Sequence, residues 1–236
     1  MEAITRTSLI ILCFVLSACG GGGGGGSAPP PPTTSPTTQF PIAGALSAYV
    51  QSAHSYNLTA TDTQNNAYTV HLTTAPGPGA TLAGHATSTA DSSFIIKKNG
   101  AVIDVSSSTA YFFPSPYELI LERTSTGECD ITRDRRILPS YATIGQSGPF
   151  YAYDTWACDA NLKAQGFVSE SSTTAVWSLA ADTPATAWFC LNYTTIERFL
   201  GTPSTGSECY KVDQSGNVSA LTVAFTTTGG ETITFR

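Results

Sequence analysis

Apolar and polar side chains alternate along most of this chain. Tyr56, Leu58 and Ala60 fall on one face of a two-residue repeat, and Tyr68, Val70 and Leu72 do the same after the polar stretch 62–66. That pattern predicts a β-hairpin. The segments 94–98 and 101–105 flank Asn99-Gly100, a pair that accepts the two positive φ angles of a type I′ turn. Further strands are expected over 109–113, 117–123, 150–157, 173–179, 185–193, 209–213, 218–227 and 232–236, with a sheet break at 76–79 and a turn at Gly229-Gly230. Only 195–200 leaves room for a helical turn. Short strands separated by turn residues indicate an all-β fold, as two consecutive sandwich-like units or one larger sandwich.

Composition supports that reading. Charged residues make up 12% of the chain, against about 25% in ordinary soluble domains. Ser and Thr stand in for them, which suits strands with hydroxyl-bearing outer faces. The net charge is −6, so there is no basic footprint for nucleic acid. No cofactor motif stands out, and no cofactor is expected.

The first 41 residues follow a different logic. Residues 9–16 are continuously apolar and cover only about 12 Å as a helix, short of a ~30 Å hydrocarbon core. They read as the h-region of a secretory signal. Leu16-Ser17-Ala18-Cys19 follows directly, and this tetrad resembles the lipobox of bacterial lipoproteins. The resemblance implies a signal peptide over 1–18, cleavage before Cys19 and lipid attachment, palmitate included, at Cys19. The mature protein is then held at a membrane by its N-terminal lipid. Gly20 rather than Asp follows the Cys, which resembles an outer-membrane address, on either its periplasmic or its surface side. Residues 19–41 contain seven consecutive glycines and then a Pro/Thr-rich stretch, neither able to bury apolar surface. They are expected to form a disordered tether of about 40 Å from its Pro-rich part and about 15 Å from its glycines.

Once Cys13 leaves with the signal and Cys19 carries lipid, Cys129, Cys158, Cys190 and Cys209 remain. In an exported chain four such cysteines suggest two disulfides. A weak internal repeat suggests which ones. Residues 109–113 resemble 186–190, and 125–129 resemble 204–209, at offsets of 77 and 80 residues. The repeat would give β units over 42–139 and 140–236. On that alignment Cys209 matches Cys129 and Cys190 matches Phe113, so Cys190–Cys209 closes within the second unit and Cys129 takes Cys158. Three pairings are formally open.

Candidate chemistry is sparse. His54, His71 and His85 match no ligand spacing, and no metal is expected. The segment 145–149 lacks the last glycine, the strand–turn–helix context and the downstream His of a hydrolase elbow, which leaves Ser147 a turn residue. Eight charged residues between Glu122 and Arg136 read as a solvated connector or as ion pairs, with an anion site at Arg133, Arg135 and Arg136 as the alternative. Asp154 and Glu170 are carboxylates of the type glycoside hydrolases pair. In a strand, Tyr151 and Tyr153 share the face opposite Phe150, Asp154 and Trp156. If exposed, that face can stack on a sugar or anchor a protein partner. The expected protein is a non-enzymatic binding or structural module of the cell envelope, its partner an envelope protein or glycan. A glycan-binding surface adhesin using Tyr151 and Tyr153, and an envelope hydrolase, are the alternatives.

Overall fold

The computed structural model describes residues 38–166, 168–198, 203–226 and 230–236. The signal peptide, Cys19 and the glycine tract lie outside the described residues. The described chain forms one helix and fifteen strands: β1 (Gln39–Phe40), α1 (Ile42–Val50), β2 (His54–Thr61), β3 (Ala67–Pro76), β4 (Ala80–Leu82), β5 (His85–Lys98), β6 (Ala101–Pro114), β7 (Tyr117–Thr124), β8 (Glu128–Arg135), β9 (Ala142–Thr143), β10 (Ser147–Ala157), β11 (Ser171–Thr183), β12 (Thr186–Glu197), β13 (Pro203–Asp213), β14 (Val218–Thr226) and β15 (Thr232–Phe235).

The all-β class holds. Where two sandwich-like units or one larger sandwich were expected, the main strands form one continuous antiparallel sheet in the order β15-β14-β13-β12-β11-β10-β8-β7-β6-β5-β3-β2. The sheet curls until its two ends meet. The Thr59 N–H donates to the Arg236 carbonyl at 2.9 Å and the Arg236 N–H to the Thr59 carbonyl at 3.1 Å, joining the last strand to β2 and nearly closing a barrel. Register shifts at Ile96/Lys97, Tyr111/Phe112, Pro149/Tyr151, Ala152/Tyr153, Ala181/Thr183 and Lys211/Val212 supply the curl, because each bulge adds local twist and bend. β8 pairs with β10 across the expected boundary at 139/140. The two Ser-Thr-Gly segments of the supposed repeat differ in shape: Gly127 sits in a turn at φ 89°, whereas Gly206 lies within β13 opposite Tyr193 and Phe225.

Local signals are otherwise well matched. Asn99 and Gly100 adopt φ of 50° and 84°, as the hairpin turn requires. Residues 195–197 continue β12 rather than turning into a helix; Phe199 and Leu200 lie outside the described residues, as does Gly229. Both disulfides form as the repeat alignment implied. Cys190 and Cys209 are register partners on adjacent strands, with Cα atoms 4.0 Å apart. Cys129–Cys158 ties β8 to the end of β10, Cα–Cα 5.7 Å.

The helix α1 is the element the alternation hid. Ile42, Ala45, Leu46 and Tyr49 are its buried residues, at the i, i+3, i+4, i+7 spacing of one helical face. Nine residues are too few for a stable isolated helix, so its order comes from packing. The last carbonyls are satisfied by Gln51 Nε2 on Ser47 at 2.8 Å, Ser52 Oγ on Ala48 at 2.8 Å and the Ser52 N–H on Tyr49 at 3.0 Å. Order also begins before the expected tether boundary: Phe40 is 0% exposed and β1 pairs with β9 in the β8–β10 connector.

These segments close one end of the barrel. Ser47 Oγ donates to the Pro114 carbonyl at 2.6 Å, beside the β6–β7 turn. Pro41 and Ala45 face Gly216 in the β13–β14 turn, and the Tyr49 ring meets Tyr210 edge-on at 4.7 Å. The core around α1 includes Phe40, Leu138, Trp177, Phe189, Val212 and Leu221. Leu46, 3% exposed within this plug, gives a direct check. Leu46→Ala should cost about 2–5 kcal/mol, and Ala48→Ser on the exposed side of the helix less than about 0.5 kcal/mol, both read from urea unfolding of the full chain. Equal, small effects would mean that α1 does not contribute to the core.

Candidate functional site: an acidic, tyrosine-lined barrel interior

Beyond the plug, the inner faces of β6–β8 and β10–β13 turn polar. Glu122 on β7 and Asp130 on β8 are direct cross-strand partners, a relation that places Cβ atoms about 4.5–5.5 Å apart. A hydroxyl relay continues across the sheet. Thr155 Oγ1 donates to Asp130 Oδ1 at 2.6 Å, Ser171 Oγ to Thr155 Oγ1 at 2.9 Å, and Thr173 and Thr195 share a 2.6 Å hydrogen bond. Thr173 and Thr195 are 0% and 1% exposed. Tyr151 and Tyr153 from β10, Tyr193 from β12, and Glu208 and Tyr210 from β13 complete the layer. Ring centroids lie 5.9 Å apart for Tyr151–Tyr153 and 6.2 Å for Tyr151–Tyr193.

Burial dominates the electrostatics. It raises the Glu208 carboxyl to about 7, with the Glu122 charge adding to the rise and the Tyr210 and Tyr193 hydroxyls opposing it. Asp130 is likewise pushed up to about 7, first by burial and then by Glu122, against the Thr155 hydrogen bond. Burial also raises Glu122, with Ser108 opposing. Tyr117, Tyr151, Tyr153, Tyr193 and Tyr210 are all raised, each chiefly by burial. Glu122, Asp130, Glu208, Tyr151, Tyr153 and Tyr193 nonetheless remain only half-buried by exposed area. Tyr151 and Tyr193 pack against the apolar core, and the accessible surface that these groups keep marks the polar margin of that core inside the barrel.

Among the described residues no basic side chain pairs with the layer. The ion pairs among the described residues are Lys98–Asp62, Arg133–Asp154, Arg135–Glu118, Arg136–Asp134 and Lys211–Asp182, and none includes Glu122, Asp130 or Glu208. No group of three His, Cys, Asp or Glu among the described residues gathers as a metal shell.

The sequence-predicted residues are placed as follows. Tyr151 and Tyr153 do share a face, but it is the interior one, so they are not an outer platform. Phe150 joins that interior, 2% exposed and 4.6 Å from the Tyr151 ring, because the bulge at Pro149/Tyr151 breaks the alternation. Asp154 points outward to Arg133 at 3.1 Å, and Glu170 is exposed in the β10–β11 connector. Arg133, Arg135 and Arg136 of the charged stretch sit in the ion pairs just named, while Glu122 and Asp130 of the same stretch turn inward. His54 stacks on Tyr49 at 4.2 Å, His71 bonds Asn57 at 2.9 Å and His85 is exposed at the start of β5. Ser147 opens β10 beside a shallow surface hollow that includes Tyr141 and Trp177. Sequence reasoning missed Glu208, whose signal was its place two residues before Tyr210 and four before Val212, on the buried face of β13. Cys19 lies outside the described residues.

Compared with protein-family models, curated proteins and solved structures, the chain matches none.

The raised carboxyls make the ligand-free protein less stable at higher pH. From its ordinary 4.5 up to about 7, folded Glu208 holds a proton that the unfolded chain releases. Stability therefore falls as pH rises through that window and stays lowered above it. Glu208→Gln should raise stability at pH 8 by about 2 kcal/mol and change little at pH 4, measured by urea unfolding at both values. A loss at pH 8 would show that the charge is compensated.

Proposed function

We propose that this protein is a lipid-anchored binding module of the bacterial cell envelope, acting without catalysis, whose ligand sits in the barrel lumen. One observation carries the reading: three carboxylates and three tyrosines, Tyr151, Tyr153 and Tyr193, keep accessible surface within the barrel interior that α1 plugs at one end. Burying unpaired carboxylates opposes folding, and a barrel serving only as a scaffold would gain stability from apolar side chains there. The anchor follows from the lipobox-like tetrad ending at Cys19. The long Gly/Pro/Thr tether carries the barrel away from the membrane, and the two disulfides suit an oxidising compartment. The outer-membrane address suggested by Gly20 belongs to the same reading.

Anchoring is tested in cells fed an alkyne-tagged palmitate. Cys19→Ser should abolish labelling and move the protein out of the membrane fraction; labelling that survives the substitution would remove the anchor. Occupancy is tested by native mass spectrometry of the full-length protein extracted from its own membranes. A bound small molecule, lost in the Tyr151→Ala/Tyr153→Ala double variant while the melting temperature holds, is the expected result. Identical ligand-free spectra for both proteins would count against a luminal site.

A further inference from the structure

The acidic layer has a sign, and that sign selects a ligand. Glu122 and Asp130 face each other on β7 and β8, and Glu208 on β13 is near enough to Glu122 for the two charges to repel. None of the three joins an ion pair among the described residues. What surrounds them is tyrosine and hydroxyl, groups that soften a negative field without cancelling it.

A second observation is independent of the carboxylates. Tyr49, on α1 and 5% exposed, has a hydroxyl with no hydrogen-bond partner. Its ring packs against Tyr210, and its oxygen lies within electrostatic reach of Glu208. Tyr56 is the other polar neighbour but does not meet hydrogen-bond geometry. An orphaned buried hydroxyl costs about 1–3 kcal/mol, so one within electrostatic reach of Glu208 marks a place for a partner. Thr132 Oγ1, from the β8 residue opposite Tyr153, is also buried and unpaired. Carboxylates together with orphaned hydroxyls make a set of acceptors, and a set of acceptors calls for a donor-rich cation. The faces of Tyr151, Tyr153 and Tyr193 add attraction for the same charge.

We infer that the lumen binds an aliphatic amine carrying more than one ammonium group, held between the Glu122–Asp130 pair and Glu208 with the Tyr49 hydroxyl as an added acceptor. More than one ammonium matches the layer once the cation has drawn its three carboxyls into their ionised forms. The methylene segments between the ammonium groups lie against the tyrosine rings and the apolar floor formed by α1. The inference rests on the reading of the lumen as a binding site.

Binding has a proton signature. Glu208 and Asp130 titrate near neutrality when free. A cation favours their ionised forms, so binding near pH 7 releases protons and weakens as pH falls. The groups that face Glu208 are Tyr210 from its own strand, Tyr193 from β12, Glu122 and Tyr117 from β7, Tyr49 from α1 and Tyr56 from β2. None of them is a cation that could supply the same proton release.

The test is calorimetric titration of spermidine into the full-length, detergent-solubilised protein in about 150 mM salt, where loose surface pairing is screened. Runs in two buffers of different ionisation enthalpy at pH 7 count the protons. The expected result is one site, net proton release, and affinity at least tenfold weaker at pH 6 than at pH 8. Glu122→Gln and Glu208→Gln should each weaken binding at least tenfold without lowering the melting temperature, and Glu170→Gln on the outside should change nothing. Tyr49→Phe should weaken binding while raising the melting temperature, a combination that a purely structural tyrosine would not produce. No binding, or binding indifferent to Glu122 and Glu208, overturns the inference. If that happens while native mass spectrometry finds a neutral or anionic molecule that the Tyr151/Tyr153 variant loses, the luminal site stands and only its charge preference fails. If neither experiment finds a ligand, both fall.

Discussion

A nearly closed sheet of twelve strands has a wide interior that must be filled or lined. Eight strands already give an interior just wide enough for side chains to pack. This barrel has twelve on its closing path, and much of its inner architecture answers that constraint. On the β2, β3, β14 and β15 side, Leu58, Tyr68, Val70, Val223 and Phe235 take up volume as ordinary core. At one end α1 does the filling, bringing Ile42, Leu46 and Tyr49 into the opening with Phe40 and Leu138 beside them. On β10–β13 Trp177, Phe189, Leu191 and Val212 extend the core, and beside them Glu122, Asp130 and Glu208 with Tyr151, Tyr153 and Tyr193 form a polar layer.

Closure also explains why the edges are quiet. A long antiparallel sheet with free edges would template pairing with other chains. Here the two outermost strands meet through the reciprocal Thr59–Arg236 bonds. The disulfides reinforce places where the curl is exposed to fraying: one crosses β12 and β13 at a register pair, and the other secures the long β10–β11 connector to β8. Outside, charge is spent in local ion pairs such as Arg133–Asp154 and Arg135–Glu118. Inside, carboxyls of one sign stand outside every ion pair among the described residues.

The sequence by itself determined what depends on near neighbours. Alternation located the strands, Asn99-Gly100 set its turn through positive φ, and the cysteines paired as a crude alignment implied. It also carried the signal for α1 in Ile42, Ala45, Leu46 and Tyr49, but a two-turn apolar stripe next to a Pro-rich tether is short enough to pass for the start of a strand. Tertiary structure decided the rest. A period of two says that Tyr151 and Tyr153 share a face, yet it cannot say whether that face looks at water or at a lumen. Six register shifts then move residues such as Phe150 off the simple pattern. Glu122 and Asp130, 8 residues apart in the chain, read locally as part of a solvated charged stretch. They meet Glu208 only because β7, β8 and β13 are wrapped around one axis. Local propensities fix which residues extend and turn, but the curvature that brings distant carboxylates together accumulates over the whole sheet and is written in no single segment.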